Sequence, residues 1–481
     1  MNDFSPVLNP MLGWVLLFGL SIIWIAFGLY LNRKVQNLEG FLLAGRNVGL
    51  AFGTATVMAT WVTSNTTMLA PQFALEFGIW GMLAYSTASF GLFLFAPLAK
   101  RIRQLMPRGY TSGDFIRLRY GKPTWMVFLF ISIFYALTWL ISMSMAGGIL
   151  LEALAGIPYI LGMSVLLGVC VIYTLCGGLY AVIGTDFLQS VIIAIGVVVV
   201  GAGVLSTIEA EAIYHHVLTE KPMLMNILLP AALLAFFNNL LFGVGEIIHS
   251  NVWWSRAFAL RESVGQRAYI LAGFLWLPIP IASGFLALST GVLGINVPRA
   301  DMVGPLVSSH VLGSLGSIIT FIVLFCSLAS SLDSLLAGTA DLITRDFGKQ
   351  WLYPTADDTM MRKLSVATII GLGMITWVAC LPRIGTLATV LFLAGPMVAS
   401  TIWPIATGLL WKRANWVGAC GGMVLGSVGG LLAYFTWGWY SGALVGGAIS
   451  MLTVLLFTVT REHDFAWSTL NEPSSETVVP T

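Results

Sequence analysis

Apolar stretches of about 20 residues, each long enough to cross a bilayer as a helix, recur along nearly the whole chain and are separated by short polar breaks. They place spans near 11–31, 48–70, 79–99, 124–149, 158–176, 183–206, 224–248, 268–292, 312–341, 364–381, 384–410, 416–436 and 441–460. The expected fold is all-α and polytopic, with about thirteen transmembrane helices. The first run, Met11–Leu31, exceeds a signal-peptide core and is followed by Arg33 and Lys34, so it reads as a retained span with the N-terminus outside. An odd number of spans leaves the C-terminus in the cytoplasm, with the protein in the plasma (inner) membrane. The tail Trp467–Thr481 is rich in Ser, Glu and Pro and is expected to be disordered.

Charge sharpens this picture. Only 9% of the 481 residues are charged, against about 25% in soluble domains, which excludes a water-soluble fold. A net charge of +2 leaves no electrostatic footprint for nucleic acid. Of the 23 Lys and Arg, all but Lys221, Arg299 and Arg383 fall in segments that the span count puts inside, among them Arg256 just past span seven. A miscount by one span would reverse this bias downstream, so number and orientation support each other. The five cysteines (Cys170, Cys176, Cys326, Cys380, Cys420) lie scattered in apolar runs and read as small hydrophobes. The five histidines form no metal-binding pattern. No loop is long enough for a soluble domain, and no nucleophile–base pair or metal cluster marks an enzyme, so no organic cofactor is expected.

Two spans are wrong for simple anchors. In span two, Thr60-Trp61-Val62-Thr63-Ser64-Asn65-Thr66-Thr67 puts a polar run at mid-membrane, which hydrocarbon tolerates only where the run lines a cavity or packs on other helices. Span seven carries Pro230, Asn238, Asn239, Gly243, Gly245 and Glu246. Both read as discontinuous helices, and they lie five spans apart. With a five-span unit they become the first helices of two repeats of opposite orientation, the arrangement that points to a transporter binding site.

Intramembrane acids mark function by default. Asp341 sits where it can pair with Arg345 one turn on, Asp186 is open between coupling and a structural ion pair, and Glu246 has no basic residue within a turn, which favours a solute or proton role. Ser327, Ser330, Ser331 and Ser334 share one helical face. Such a stripe is either packing glue or, beside a broken helix, part of an oxygen shell for a hard cation such as sodium.

The segment Gly177-Gly178-Leu179-Tyr180-Ala181-Val182-Ile183-Gly184-Thr185-Asp186-Phe187-Leu188-Gln189 resembles the signature of the sodium:solute symporter family. Tyr110–Gly121 is similar to the first large cytoplasmic loop of that family, and Phe41–Arg46 to its approach to span two. The resemblance implies a five-plus-five inverted-repeat (LeuT-type) core. It divides the chain into an N-terminal extra helix and loop (1–47), a first repeat (48–223), a second repeat (224–411), two C-terminal helices (412–466) and a tail (467–481). It implies a sodium site made of the carbonyls of Ala59, Val62 and Ser327 with the hydroxyls of Ser330 and Ser331, and a coupling role for Asp186. Thr63, Asn65, Asn239 and Glu246 are the expected solute residues.

The residues around Ala59–Val62 look most like the urea and polyamine transporters of the family. Gly243 and Glu246 stand where its sugar transporters tend to carry Asn and Tyr, and the acid suggests a cationic or amide-bearing solute, or a proton beside or instead of sodium. The expected activity is sodium-coupled import of a urea-like, polyamine or related nitrogen compound by alternating access, with amino acids or other small metabolites second and sugars last. A passive channel or facilitator is the reading from another class; a sensor would need a signalling domain. The expected partners are the solute, sodium and the lipid bilayer, with no obligate protein partner implied.

Overall fold

The computed structural model describes residues 8–33, 38–226, 228–461 and 463–471, and among them there is no strand; β-type pairing is confined to one bridge between Val48 and Leu260. Lys34 and residues 472–481 of the expected tail lie outside the described residues. The first helices are α1 (Pro10–Asn32), α2 (Leu38–Leu43), α3 (Leu50–Trp61), α4 (Ser64–Ser86), α5 (Ser89–Leu105) and α6 (Ser112–Tyr120). They are followed by α7 (Lys122–Ala155), α8 (Tyr159–Thr207), α9 (Ala210–Glu220), α10 (Pro230–His249), α11 (Asn251–Ala259), α12 (Gly265–Trp276) and α13 (Pro278–Leu288). The rest of the chain forms α14 (Val303–Leu342), α15 (Asp358–Cys380), α16 (Leu387–Phe392), α17 (Gly395–Leu410), α18 (Trp416–Trp437) and α19 (Gly442–Thr460).

Among the described residues, eleven helical stretches are long and apolar enough to cross a membrane. The thirteen expected spans are grouped differently because α3 is short and because α4 and α8 are each bent at a glycine with positive φ, Gly78 (φ 65) and Gly178 (φ 57). At Gly78 the backbone conformation and the space both exclude a side chain, since a Cβ would lie 2.0 Å from the Leu224 carbonyl oxygen. The outward faces are apolar: Phe130 (63% exposed), Val198 (69%) and Phe435 (73%) project from the bundle. A patch of that kind belongs in lipid, and the protein is an integral membrane protein.

Both expected discontinuous helices are present. The first breaks between α3 and α4, where Val62 leaves helical geometry (φ −83, ψ 85). The cause is local chemistry: the Thr63 hydroxyl accepts from the Thr66 N–H at 3.0 Å while the Thr63 N–H donates to Thr66 Oγ1 at 3.2 Å, a capping box that starts a new helix within the span. The second breaks between α10 and α11 at Ser250 (φ −70, ψ 131), whose hydroxyl caps the Val252 N–H. Gly243, Gly245 and Glu246 therefore lie inside α10, not at its break. Gly243 serves close packing, for a Cβ there would meet Ala88 Cα at 2.6 Å.

Two further expectations change. Arg345 stacks on the Tyr110 ring (3.6 Å to its centroid), so among the described residues its charge acts on Asp341 without a close ion-pair contact. Residues 467–471 of the tail form a 3-10 turn with Leu470 buried, held by Arg119 and Arg101 over the Trp467 ring.

Candidate functional site

The two breaks face one cavity of about 260 Å³, walled by Thr60, Trp61 and Thr63 from the first, Glu246, Val252 and Trp253 from the second, Tyr135, Trp139 and Met143 of α7, and Ser331 and Leu335 of α14. A larger space of about 450 Å³ between α4, α8, α13 and α14 is lined by small and aliphatic side chains with a few hydroxyls and no charged group. It offers little to hold a polar solute, so the smaller cavity is the candidate site.

Glu246 is buried in its wall. Its Oε1 accepts from the Tyr135 hydroxyl at 2.6 Å and from the Trp253 indole N–H at 3.3 Å, while Oε2 is buried without a hydrogen-bond partner among the described residues. Trp61 is packed edge-on to Trp253 (centroids 5.4 Å apart, 89° between planes) and near Trp139 (6.2 Å). The indole nitrogens of Trp61 and Trp139 are likewise buried without partners. One acceptor and two donors are thus left over in an otherwise aromatic chamber.

Next to this cavity lies a cluster of oxygens around Asp186, which is wholly buried on α8. Its Oδ1 accepts from Ser330 (2.5 Å), and its Oδ2 from Thr56 (2.6 Å) and from Arg256 (3.2 Å). Arg256, also wholly buried, donates further to Thr60 Oγ1 (2.6 Å), Ser334 Oγ (2.7 Å), Thr56 Oγ1 (3.1 Å) and the Val252 carbonyl (3.2 Å). Ser331 donates to the Thr60 carbonyl (3.2 Å). Thr60 and Ser331 thereby belong to both the cavity wall and the polar cluster.

Of the residues expected for sodium, Ser330 and Ser331 stand in this cluster beside the break carrying Ala59 and Val62. A hydroxyl that gives its proton to Asp186 or to a carbonyl keeps lone pairs for a cation. The Ser327 hydroxyl turns back onto the Val323 carbonyl at 2.8 Å. Of the residues expected for solute, Thr63 and Glu246 line the cavity. Asn65 does not; its amide donates to Ser142 at 3.0 Å and joins α4 to α7. Nor does Asn239, whose amide donates to the carbonyls of Ala84 (2.7 Å) and Tyr85 (3.1 Å) at the bend between α4 and α5.

Arg256 is the functional residue the sequence concealed. Counted from hydropathy it falls past span seven, in a loop, but the break at Ser250 lets the helix resume as α11 and carries the guanidinium inward. Asn251, the first residue of α11, is a second: it accepts from the Ser112 N–H of α6 (2.9 Å) and donates to the Gly338 carbonyl of α14 (2.9 Å). Beside it Asp346 accepts from Thr111 (2.7 Å) and Trp125 (2.9 Å), so the same end of the bundle is clasped across α6, α7 and the continuation of α14. On α6 itself the Asp114 carboxyl is pushed above its ordinary range by burial, with Arg117 at 3.9 Å opposing.

Two helices interrupted at mid-span and facing each other across a cavity, inside an all-helical apolar bundle, define a secondary transporter of the five-plus-five inverted-repeat class. The sodium:solute symporter family model matches residues 41–426, and the chain belongs to that family of transporters rather than enzymes. It is 25% identical over 487 residues to a urea-proton symporter of Oryza sativa subsp. japonica, covering 90% of this chain and 66% of that one. It is 24% identical to a urea active transporter of Saccharomyces cerevisiae (91% and 64%) and 26% identical to an osmoregulated proline transporter of Bacillus subtilis (86% and 87%). The chain spans just under two thirds of the length of these two urea transporters. A solved Na+-coupled sialic acid symporter shares the fold, with a TM-score of 0.80 at 15% identity, covering 96% of this chain and all of that one.

Proposed function

We propose that this chain is a sodium-coupled symporter that imports a small nitrogen-containing solute, urea-like or polyamine-like, by alternating access. The observation that carries the reading is the shared wall: Thr60 and Ser331 belong to both the cavity at the helix breaks and the oxygen cluster around Asp186. A cation taken up by the carbonyls of Ala59, Val62 and Ser327 and the hydroxyls of Ser330 and Ser331 fixes the wall against which the solute rests. By linkage, each ligand then raises the affinity for the other. Asp186 is a positioning residue, since it takes the proton of Ser330 and is itself held by Arg256. Residues 48–223 and 224–411 act as the two inverted repeats, each opened by one broken helix, with the N-terminus outside and the clasp around Asn251 and Asp346 at the cytoplasmic end of a plasma membrane.

The test is uptake into proteoliposomes of labelled urea, putrescine, proline and glucose with and without an inward sodium gradient. The expected result is sodium-driven accumulation of urea or putrescine; downhill flux indifferent to sodium and to protons identifies a facilitator and overturns the reading. One observation favours a second reading, proton coupling: Glu246 lines the cavity with no basic side chain among the described residues of its lining, and accumulation driven by a proton gradient alone would establish it.

A further inference from the structure

The reading above leaves the solute's charge open, and Glu246 bears on it. Its Oε1 already accepts two hydrogen bonds, and its Oε2 is buried and unpartnered among the described residues. Among the described residues no Lys, Arg or His lines the cavity. The nearby buried guanidinium, Arg256, is committed to Asp186, Thr56, Thr60 and Ser334. A buried carboxylate without a counter-charge is strongly unfavourable, so it is relieved either by a proton or by a cation, and only a cation with hydrogen-bond donors does so while leaving the group ionised. The walls favour the same partner, because Trp61, Trp139 and Trp253 line the cavity and an aromatic ring attracts a cation placed over its face.

We propose that the transported solute is a small organic cation bearing N–H donors, of the guanidinium or primary-ammonium type, with Glu246 as its counter-ion, and that neutral urea is a poor substrate. This rests on the nitrogen-solute reading and narrows it. Glu246 Oε2 accepts from the cation, Tyr135 and Trp253 hold the carboxylate in place through Oε1, and the tryptophans enclose the alkyl or planar remainder.

The experiment is counterflow exchange in proteoliposomes, which needs no ion gradient, with labelled guanidine, putrescine and urea, and with labelled proline and glucose as controls. For the wild type, at least one of the two cations is expected to exchange about tenfold or more faster than urea, and excess urea leaves that exchange uninhibited. Glu246→Gln is expected to lose cation exchange by about tenfold or more, with Glu246→Asp retaining part of it. The competition result concerns the wild type alone and stands even if a variant fails to fold. Urea exchanging as fast as both cations, or Glu246→Gln exchanging them at the wild-type rate, overturns the proposal while leaving the nitrogen-solute reading intact. Exchange of proline or glucose with none of the three nitrogen probes overturns that reading instead.

Discussion

Two carboxylates lie buried between the broken helices, and their surroundings are opposite. Asp186 has donors on both oxygens and an arginine against one of them, while Glu246 has two donors on one oxygen and, among the described residues, no partner on the other. Buried charge is tolerated when it is paired and hydrogen-bonded. Asp186 meets that condition within the protein, so it organises structure and orients Ser330. Glu246 does not among the described residues, and that unpaired oxygen is the ground for proposing a ligand there. The difference teaches that an acid in the membrane marks function in two ways, by what it holds and by what it lacks.

The largest expected effect breaks the satisfied side. Arg256→Ala strips Asp186 of its counter-charge in a dry interior, a change expected to cost about 3–5 kcal/mol. The outcome is a large fall in thermal stability of the detergent-solubilised protein and a loss of folded material by size exclusion. Pairing it with Asp186→Asn removes the orphaned charge and is expected to recover part of that loss. A single variant as stable as the wild type would show that the pair does not hold the cluster together.

Next in size is Asn239→Ala. The amide serves the Ala84 and Tyr85 carbonyls where α4 gives way to α5, and leaving buried carbonyls unpartnered costs about 1–3 kcal/mol. The expected outcome is a lower unfolding temperature with the ratio of solute affinities unchanged. A change in solute preference at constant stability would return Asn239 to the binding site.

How far these roles could be read beforehand depends on what each residue does. The break in span two was legible because a polar run such as Thr60–Thr67 has no other business in hydrocarbon, and Asp186 because it sits in a recognisable segment. The break in span seven was legible but misplaced, since Gly243 and Gly245 look like helix weakeners and instead allow close packing against Ala88 and Val398. Arg256 was invisible: a basic residue after an apolar run reads as a loop, and only the cap at Ser250 turns the chain back into a helix. The aromatic chamber was equally hidden, because Trp61, Trp139 and Trp253 lie far apart in sequence and each reads as ordinary core.

A third variant probes what the satisfied acid is for. Ser330→Ala with Ser331→Ala removes the proton donor to Asp186 Oδ1 and both side-chain oxygens beside Ala59 and Val62. The sodium concentration for half-maximal uptake is expected to rise about tenfold or more, equivalent to about 1.4 kcal/mol or more, with the solute KM at saturating sodium much less affected. Unaltered sodium dependence would take both hydroxyls out of the ion shell and leave Asp186 a structural residue only.

The smallest effect is the most discriminating. Glu246→Gln keeps an oxygen to accept from Tyr135 and Trp253 but removes the uncompensated charge, so in the absence of solute its stability is expected to stay within about 1 kcal/mol of the wild type or to rise. Thermal unfolding measured without and with a binding solute separates the two contributions: the wild type gains stability on adding ligand by mass action, and the variant gains little. Were Glu246→Gln to collapse in the way expected of Arg256→Ala, the carboxylate would be a structural member like Asp186, and the contrast between the two acids would be lost. Near-neutral stability joined to a lost ligand shift is the signature of a charge kept in place for a partner that comes and goes.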